Sequence, residues 1–387
     1  MRGSEGEGEW RMRERPRRPL GYLPTLAVQG LRAAQGLGLL SSPLQVTPLT
    51  WEAAQRHGIG AFVAELAQHT PSTIALPLQK MIDQERLRSL GIFLRQRVQL
   101  ERLLTKLKAE QIDVILLKGI AVASDLYPRP ELRPVGDIDL LAHPEQYPHL
   151  FMTLSACGFE PVDPSPELPR PRMPAEAPPD RAFIRRDSEL TVEVHFTTLQ
   201  TGLLERYADA IWAERRWLVT SEGIIPALSR EHTILMLASH AHKHSYSRLI
   251  WLLDLYVAIQ AWHTQLNWQK LAVLAREEGI AAIVHYALRQ VERAFGAQFK
   301  TLHTLRWHEW PVILAYRLLW PLPQLLSSAA DEHQRWSRFE PRGRHIADVI
   351  GGLVFTGRRR EKWQVLTAYA TVRAGAVVLP DRQRGRA

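Results

Sequence analysis

Two short apolar runs, 112–117 and 136–142, limit most strongly what this chain can fold into. Each is too short for a typical buried helix and is bounded by glycine or proline residues, which is typical of a strand. The surrounding regions, 24–110 and 204–380, show helical patterns instead. The sequence therefore predicts an α+β fold, in which a small mixed-sheet core over 111–203 is flanked by N-terminal helices and a C-terminal helical region.

The remaining segments have compositions that predict tails and a loop. Residues 1–23 and 381–387 are basic, and we expect both to be flexible tails. Seven prolines within 163–180 predict an extended loop or lid over the core. The formal net charge of +9 favours anionic partners, but part of that excess lies in the tails. Because the core carries no stripe of interleaved basic and aromatic residues, nucleic acid is not expected as a partner.

The number of cysteines and the lengths of the apolar segments indicate the cellular compartment of the protein. Cys157 is the only cysteine, which excludes an intrachain disulfide framework and a cysteine-rich zinc site. This usage fits a reducing environment, so we expect a cytoplasmic protein. The N-terminal residues lack the apolar region of a signal peptide. The apolar stretch 310–326 is interrupted by one arginine and three prolines, so no membrane span is expected.

A carboxylate pair lies in the second apolar run. Side chains alternate between the faces of a strand, so Asp137 and Asp139 project to one face and Ile138 to the other. Two like charges so close together repel each other, unless they are solvated or a cation lies between them. Carboxylate oxygens are ligands that Mg²⁺ prefers. The pair therefore indicates either a metal site or two exposed carboxylates on an edge strand.

The run Thr-Val-Glu-Val-His-Phe over 191–196 shows the same alternation. Glu193 and His195 share its polar face, while the intervening valines form the apolar face. If this strand lies beside the Asp137 strand, Glu193 completes a site of three carboxylates. Such a site can hold the two metal ions that promote phosphoryl-type displacement. His195 either orients a metal ligand, acts as a base, or simply belongs to a polar strand face.

Three histidines near the end of a predicted helix suggest zinc. His240 and His244 share one helix face, whereas His242 points elsewhere. Because the sequence offers no partnering cysteine, a zinc site is disfavoured. Asp254 lies within an apolar helix and needs a partner, for which Arg248 or a histidine of the preceding helix is a candidate.

Several of these segments together resemble a known family. They are Leu-Lys-Gly-Ile-Ala-Val over 117–122, Leu-Tyr-Pro over 126–128, Arg-Pro-Val-Gly-Asp-Ile-Asp-Leu-Leu over 133–141, Val-Glu-Val-His-Phe over 192–196, and the helical stretch 235–254. In this combination the chain resembles a bacterial family of uncharacterised nucleotidyltransferases within the DNA polymerase beta-like superfamily. The resemblance covers roughly residues 90–260.

The resemblance implies a nucleotidyltransferase core in which Asp137, Asp139 and Glu193 are both the catalytic residues and the ligands of Mg²⁺ or Mn²⁺. An NTP would be the substrate, and its NMP would pass to a hydroxyl of a small molecule, sugar or peptide. Attack on the α-phosphate would be in line, with pyrophosphate as the leaving group.

Four residues are the candidate nucleotide contacts that go with this resemblance: Lys118, Gly119, Arg133 and Lys243. Lys118 would act as a point charge, and Gly119 would let the backbone approach the phosphates. Superfamily members carry Gly-Ser or Gly-Gly at the turn, where this chain has Gly119-Ile120. The missing hydroxyl keeps an alternative open, in which a catalytically degenerate fold serves as a binding or scaffold protein in a biosynthetic cluster.

Overall fold

The two apolar runs form adjacent strands in the centre of a mixed sheet, as the sequence predicts. The computed structural model describes residues 22–37, 44–70, 74–162, 181–188, 190–196, 198, 208–220, 223–244 and 246–297. The proline-rich loop 163–180, the tail 381–387, almost all of the tail 1–23, and the part of the predicted helical region after 297 lie outside these residues.

The described chain has an α+β arrangement, in which helices come first and last and the strands lie between them. The helices are α1 (Leu23–Ala34), α2 (Pro48–Arg56), α3 (Gly60–His69), α4 (Leu76–Ala109), α5 (Ile120–Leu126), α6 (Tyr147–Ala156), α7 (Ala208–Ala213), α8 (Arg230–Lys243), α9 (Leu249–Trp262), α10 (Trp268–Glu277) and α11 (Ala281–Phe295). The strands are β1 (Val114–Leu116), β2 (Ile138–Ala142), β3 (Glu160–Pro161), β4 (Arg181–Arg185), β5 (Leu190–His195), β6 (Arg216–Thr220) and β7 (Gly223–Ala227).

The seven strands form one sheet in the order β3-β4-β5-β2-β1-β7-β6. Strand β2 pairs parallel with β5, and β1 pairs parallel with β7, whereas the other neighbours are antiparallel. This confirms the predicted mixed sheet, which helices precede and follow along the chain. The central strands β2 and β1 are buried along their whole length.

Strand alternation divides the interior into two hydrophobic cores. Ile115, Leu117 and Leu141 point to one face of the sheet and join the helical body built from α1–α3, α8, α9 and α11. Leu116 and Leu140 point to the other face, where α4 and α6 cover the sheet. Because side chains alternate, Asp139 lies on the same face as Leu141 and therefore meets the helical body.

Helix α4 connects the two cores because it is unusually long. Its 34 residues correspond to about 51 Å of helix, at about 1.5 Å per residue. Near its start, Leu78 and Ile82 belong to the helical body. Further along, Leu100, Leu103 and Leu107 recur at helical spacing and pack on the sheet. One rigid element therefore fixes the sheet relative to the N-terminal helices.

The loop between α5 and β2 is held from both sides. Gln96 of α4 donates from Nε2 to the carbonyl oxygens of Val135 (3.1 Å) and Gly136 (3.2 Å). On the other side, Arg133 donates from Nη2 to Asp254 Oδ2 of α9 at 2.8 Å. These bonds fix the backbone that leads directly into Asp137.

Asp254 is completely buried, and its partners differ from those that the sequence suggests. Arg133 contacts both of its carboxylate oxygens, and Tyr127 donates from its hydroxyl to Oδ1 at 2.7 Å. The expectation that Arg248 or a histidine of α8 would be the partner of Asp254 is therefore wrong. Burial and the neighbouring carboxylate raise the pKa of Tyr127 well above its ordinary value, so the hydroxyl stays protonated and keeps donating.

Residues 204–380 are not helical throughout, since the described part contains strands β6 and β7. The hairpin extends the sheet beside β1, and Arg216 anchors it by contacting Asp125 of α5 at 2.5 Å. Trp217 and Ile224 are exposed, although both are apolar, while Leu218 and Ile225 are buried. With apolar residues on both faces, the strand alternation is hidden in the sequence, which explains the wrong expectation.

We expect Asp254→Ala to lower the free energy of unfolding by about 3–5 kcal/mol, because it leaves the Arg133 guanidinium buried without its carboxylate. Tyr127→Phe removes only one hydrogen bond and should cost about 1 kcal/mol. Chemical denaturation of both variants measures the difference. A loss below about 1 kcal/mol for Asp254→Ala would contradict the anchoring role assigned to this pair.

Candidate metal-dependent active site

Asp139 and Glu193 face each other across two adjacent strands. Strands β2 and β5 are parallel, and their register pairs Asp139 directly with Glu193. Ile138 and Val192, one position earlier, form the preceding pair and point to the opposite core. Alternation therefore places both carboxylates on the same face of the sheet. The strand that carries Glu193 therefore lies beside the strand that carries Asp139.

His195 and Lys118 surround the Asp139 carboxylate. His195 Nε2 lies 3.0 Å from Asp139 Oδ1 and 3.3 Å from Glu193 Oε2, so it lies between the two carboxylates. Lys118 Nζ lies 2.6 Å from the same Oδ1 atom. Lys118 is only 8% exposed and Asp139 only 1%, so this is a buried ion pair.

At Asp139 and Lys118, the charges of neighbouring groups outweigh the effect of burial on the pKa. Burial favours the neutral form of Asp139, but the hydrogen bond from His195 and the charge of Lys118 hold its pKa well below its usual range. Burial also opposes the charge of Lys118, yet Asp139 and Asp137 raise the pKa of Lys118 above its ordinary value. Both groups are therefore ionised at neutral pH.

Asp137 belongs to the same electrostatic group, although it precedes β2. Burial, followed by the negative charge of Asp139, raises the pKa of Asp137, and Lys118 opposes this rise. For Glu193, burial is outweighed by the hydrogen bond from His195, which lowers its pKa. Three carboxylates thus act on one another and on Lys118, and a further cation would relieve the repulsion among them.

Gly119 ends the segment after β1 in a conformation that favours glycine. Its φ is +57°, a left-handed value that L side chains rarely adopt. A Cβ at this position would also lie 3.2 Å from the carbonyl oxygen of Asp137. Gly119 therefore allows the turn after Lys118 to run close against the start of β2. Ile120, which follows, is buried and begins α5.

The donors at this site suit a divalent cation. Asp139, Glu193 and His195 each offer a ligand atom within 4.8 Å of the others, the only such group of three among the residues that the structure describes. Asp139 Oδ2 is buried and has no hydrogen-bond partner in this part of the chain. An oxygen left in that state is unfavourable unless a donor or a cation reaches it. The sequence predicted Asp137, Asp139 and Glu193 as ligands, and this group contains the last two together with His195.

Arg133 and Lys243 are not brought into contact with these carboxylates. Arg133 is buried, and its guanidinium is committed to Asp254 and to the carbonyl oxygen of Pro134. Its role here is to hold the loop before Asp137. Lys243 is exposed at the end of α8, where it acts on the pKa of His244. Of the four candidate nucleotide contacts, Lys118 and Gly119 are therefore the two that adjoin the carboxylates.

The sequence assigned no role at this site to Gln96 or His240. Gln96 is a polar residue on a long helix, and nothing in its spacing indicates that it holds the loop before Asp137. His240 lies close enough to Lys118 and Asp139 for both charges to act on its pKa. The pattern of three histidines did mark this helix end, where a zinc site was considered and disfavoured, but it did not indicate proximity to the carboxylates.

A separate cleft of about 790 Å³ lies on the opposite face of the sheet, between α4 and the β6–β7 hairpin. It is lined by residues of the second core and of the hairpin, including Leu100, Val114, Trp217 and Ile225. None of the carboxylates described above lines this cleft. This cleft is therefore separate from the candidate active site.

Comparison with known proteins gives one match. The family described as uncharacterised nucleotidyltransferases matches residues 47–296, which is well over half of the chain and includes every residue of the candidate site. No curated protein and no solved structure matches the chain. Among the helices of the described residues, none has the length and apolar character needed to cross a membrane.

We expect Lys118→Met to destabilise the metal-free protein by about 3 kcal/mol, because it leaves Asp139 buried without its cation. Mn²⁺ should then raise the melting temperature more in this variant than in the unmodified protein, since the carboxylates lack an internal positive charge. Lys80→Met, on an exposed face of α4, is the matched control. Equal effects of the two substitutions would contradict the ion pair.

Proposed function

The chain belongs to the uncharacterised nucleotidyltransferase family, and from this premise we propose that it transfers an NMP from an NTP to a hydroxyl of a small molecule, sugar or peptide. The proposal rests chiefly on the direct pairing of Asp139 with Glu193 across β2 and β5. Asp137, Asp139 and Glu193 would hold Mg²⁺ or Mn²⁺. Bound there, the cations would polarise the α-phosphate and lower the pKa of the acceptor hydroxyl.

The proposed reaction is a substitution at the α-phosphorus. The acceptor oxygen forms a new bond to phosphorus, the bond from the α-phosphorus to its bridging oxygen breaks, and pyrophosphate leaves with that electron pair. The hydroxyl proton passes to a basic group at the site. Of the two paired carboxylates, Glu193 is the more accessible for this, because its side chain is 29% exposed whereas that of Asp139 is fully buried.

Lys118 and Gly119 are the proposed triphosphate contacts. The Lys118 ammonium lies beside the carboxylates and can shift from Asp139 toward a phosphate oxygen when a cation replaces it. Gly119 keeps this turn free of a side chain, so backbone groups are accessible to the phosphates. Because Ile120 is buried in the core, no side chain at that position is available to bind phosphate.

Thermal stability measured with each NTP, with and without Mg²⁺ or Mn²⁺, tests whether the site binds nucleotide. A ligand of the native state raises the melting temperature by mass action. We expect a metal-dependent rise with at least one NTP, and its loss in Asp139→Asn and in the double variant Asp137→Ala/Asp139→Ala. Asp83→Asn, an exposed position on α4, is the control and should retain the rise. An unchanged rise in Asp139→Asn would refute the metal-site assignment.

Glu193→Gln separates catalysis from binding. Because Asp137 and Asp139 can still hold the ion that accompanies the triphosphate, we expect this variant to retain metal-dependent NTP binding. The rate of pyrophosphate release in the presence of an acceptor should fall by about 100-fold or more. Small-molecule, sugar and peptide hydroxyls are the acceptors to compare. Binding of NTP by the unmodified protein, without pyrophosphate release for any acceptor class, would favour the scaffold alternative instead.

A further inference from the structure

Three aromatic side chains pack together where α8 ends and α9 begins. The ring centroids of His240 and His244 are 4.7 Å apart, and those of His244 and Trp251 are 4.8 Å apart with planes inclined at 34°. His240 contacts Trp251 edge-on at 5.3 Å. As expected from helix spacing, His242 lies elsewhere, with its ring 6.1 Å from that of Tyr246. We refer to His240, His244 and Trp251 as the aromatic cluster.

The aromatic cluster adjoins the carboxylate site. Lys118 and Asp139 are both near enough to His240 to act on its pKa, in opposite directions. His244 is similarly within reach of Lys118 and Glu193. Helix α8 packs in the same core as Leu117 and Leu141, so its end lies on the face of the sheet that carries Asp139 and Glu193. A substrate whose phosphates contact Lys118 would therefore lie on the same side of the sheet as these rings.

The imidazoles of the cluster are uncharged at neutral pH. Burial lowers the pKa of His240 well below its ordinary value, and the charge of Lys118 adds to this. Burial, followed by the charges of Lys243 and Lys118, lowers the pKa of His244 to about 4. The surface is therefore aromatic and neutral, although Lys118 and the carboxylates are close enough to act on it electrostatically. Such a surface suits a planar heterocycle better than it suits a phosphate.

A metal site is the competing explanation for two histidines one helical turn apart. Among the described residues, the only three side chains placed to share an ion are Asp139, Glu193 and His195. No third ligand therefore joins His240 and His244 in this part of the chain. Their rings also pack against each other at 66° and against Trp251, which is the geometry of aromatic contact.

We propose that His244, backed by Trp251, is the surface on which the nucleobase of the NTP stacks. His244 is the accessible member, because it is half-buried, whereas His240 and Trp251 are 8% and 9% exposed. Arg248 lies over the Trp251 ring at 5.9 Å and closes the cluster on the side of α9. The inference rests on the proposed function, since it assigns a base-binding role beside the same phosphate contacts.

The test compares an NTP with inorganic tripolyphosphate, which has the phosphates but no base. Calorimetric titration of each with Mn²⁺ gives two dissociation constants for the unmodified protein, His244→Ala and His244→Phe. Loss of a stacking partner should weaken NTP binding by about tenfold in His244→Ala and leave tripolyphosphate binding unchanged. His244→Phe keeps an aromatic ring and should restore NTP binding. His263→Ala, at an exposed position after α9, is the matched control.

The outcomes separate this proposal from the proposed function. If the unmodified protein binds neither ligand with Mn²⁺, the proposed function fails and this inference fails with it. If it binds both, but His244→Ala binds NTP as tightly as the unmodified protein does, only the base-binding role is wrong. An equal loss for both ligands would identify His244 as a phosphate contact, which also overturns the stacking role.

Discussion

Asp139 carries a negative charge at a position that solvent barely reaches, and the centre of the fold is arranged to compensate for it. The ammonium of Lys118 and the imidazole of His195 both contact its Oδ1 atom. Each partner comes from a neighbouring strand or from the turn that follows it, so the compensation depends on the pairing of β1, β2 and β5. An isolated charge at this depth would be strongly destabilising. The sheet and the charge cluster therefore stabilise each other.

A second layer of contacts keeps the backbone around that charge in place. Gln96 holds the loop before Asp137 from the side of α4, and the pair Arg133–Asp254 holds it from the side of α9. Gln96 lies on the part of α4 that packs in the second core, whereas α9 packs in the helical body. The position of Asp137 relative to Asp139 is thus set by the whole molecule. This rigidity suits a site whose donors must be arranged before the substrate arrives.

Local alternation is the part of this arrangement that the sequence reveals. The period of two in β2 and β5 places Asp139, Glu193 and His195 on polar faces, and the structure brings those faces together. Contacts between distant residues carry no comparable pattern, which is why the partner of Asp254, 121 residues away, was not predicted. The β6–β7 hairpin escaped prediction because exposed Trp217 and Ile224 hide its alternation. His195 was among the candidates, but only the register of the strands shows that it reaches both carboxylates.

The central claim is that the triphosphate of an NTP binds at the face formed by Asp139 and Glu193. The most direct measurement is a crystal structure with Mn²⁺ and a non-hydrolysable NTP, in which anomalous scattering locates the cation. We expect manganese bound to Asp139 and Glu193, with the triphosphate beside Lys118 and Gly119. Manganese and triphosphate located elsewhere, for example in the cleft between α4 and the β6–β7 hairpin, would contradict it.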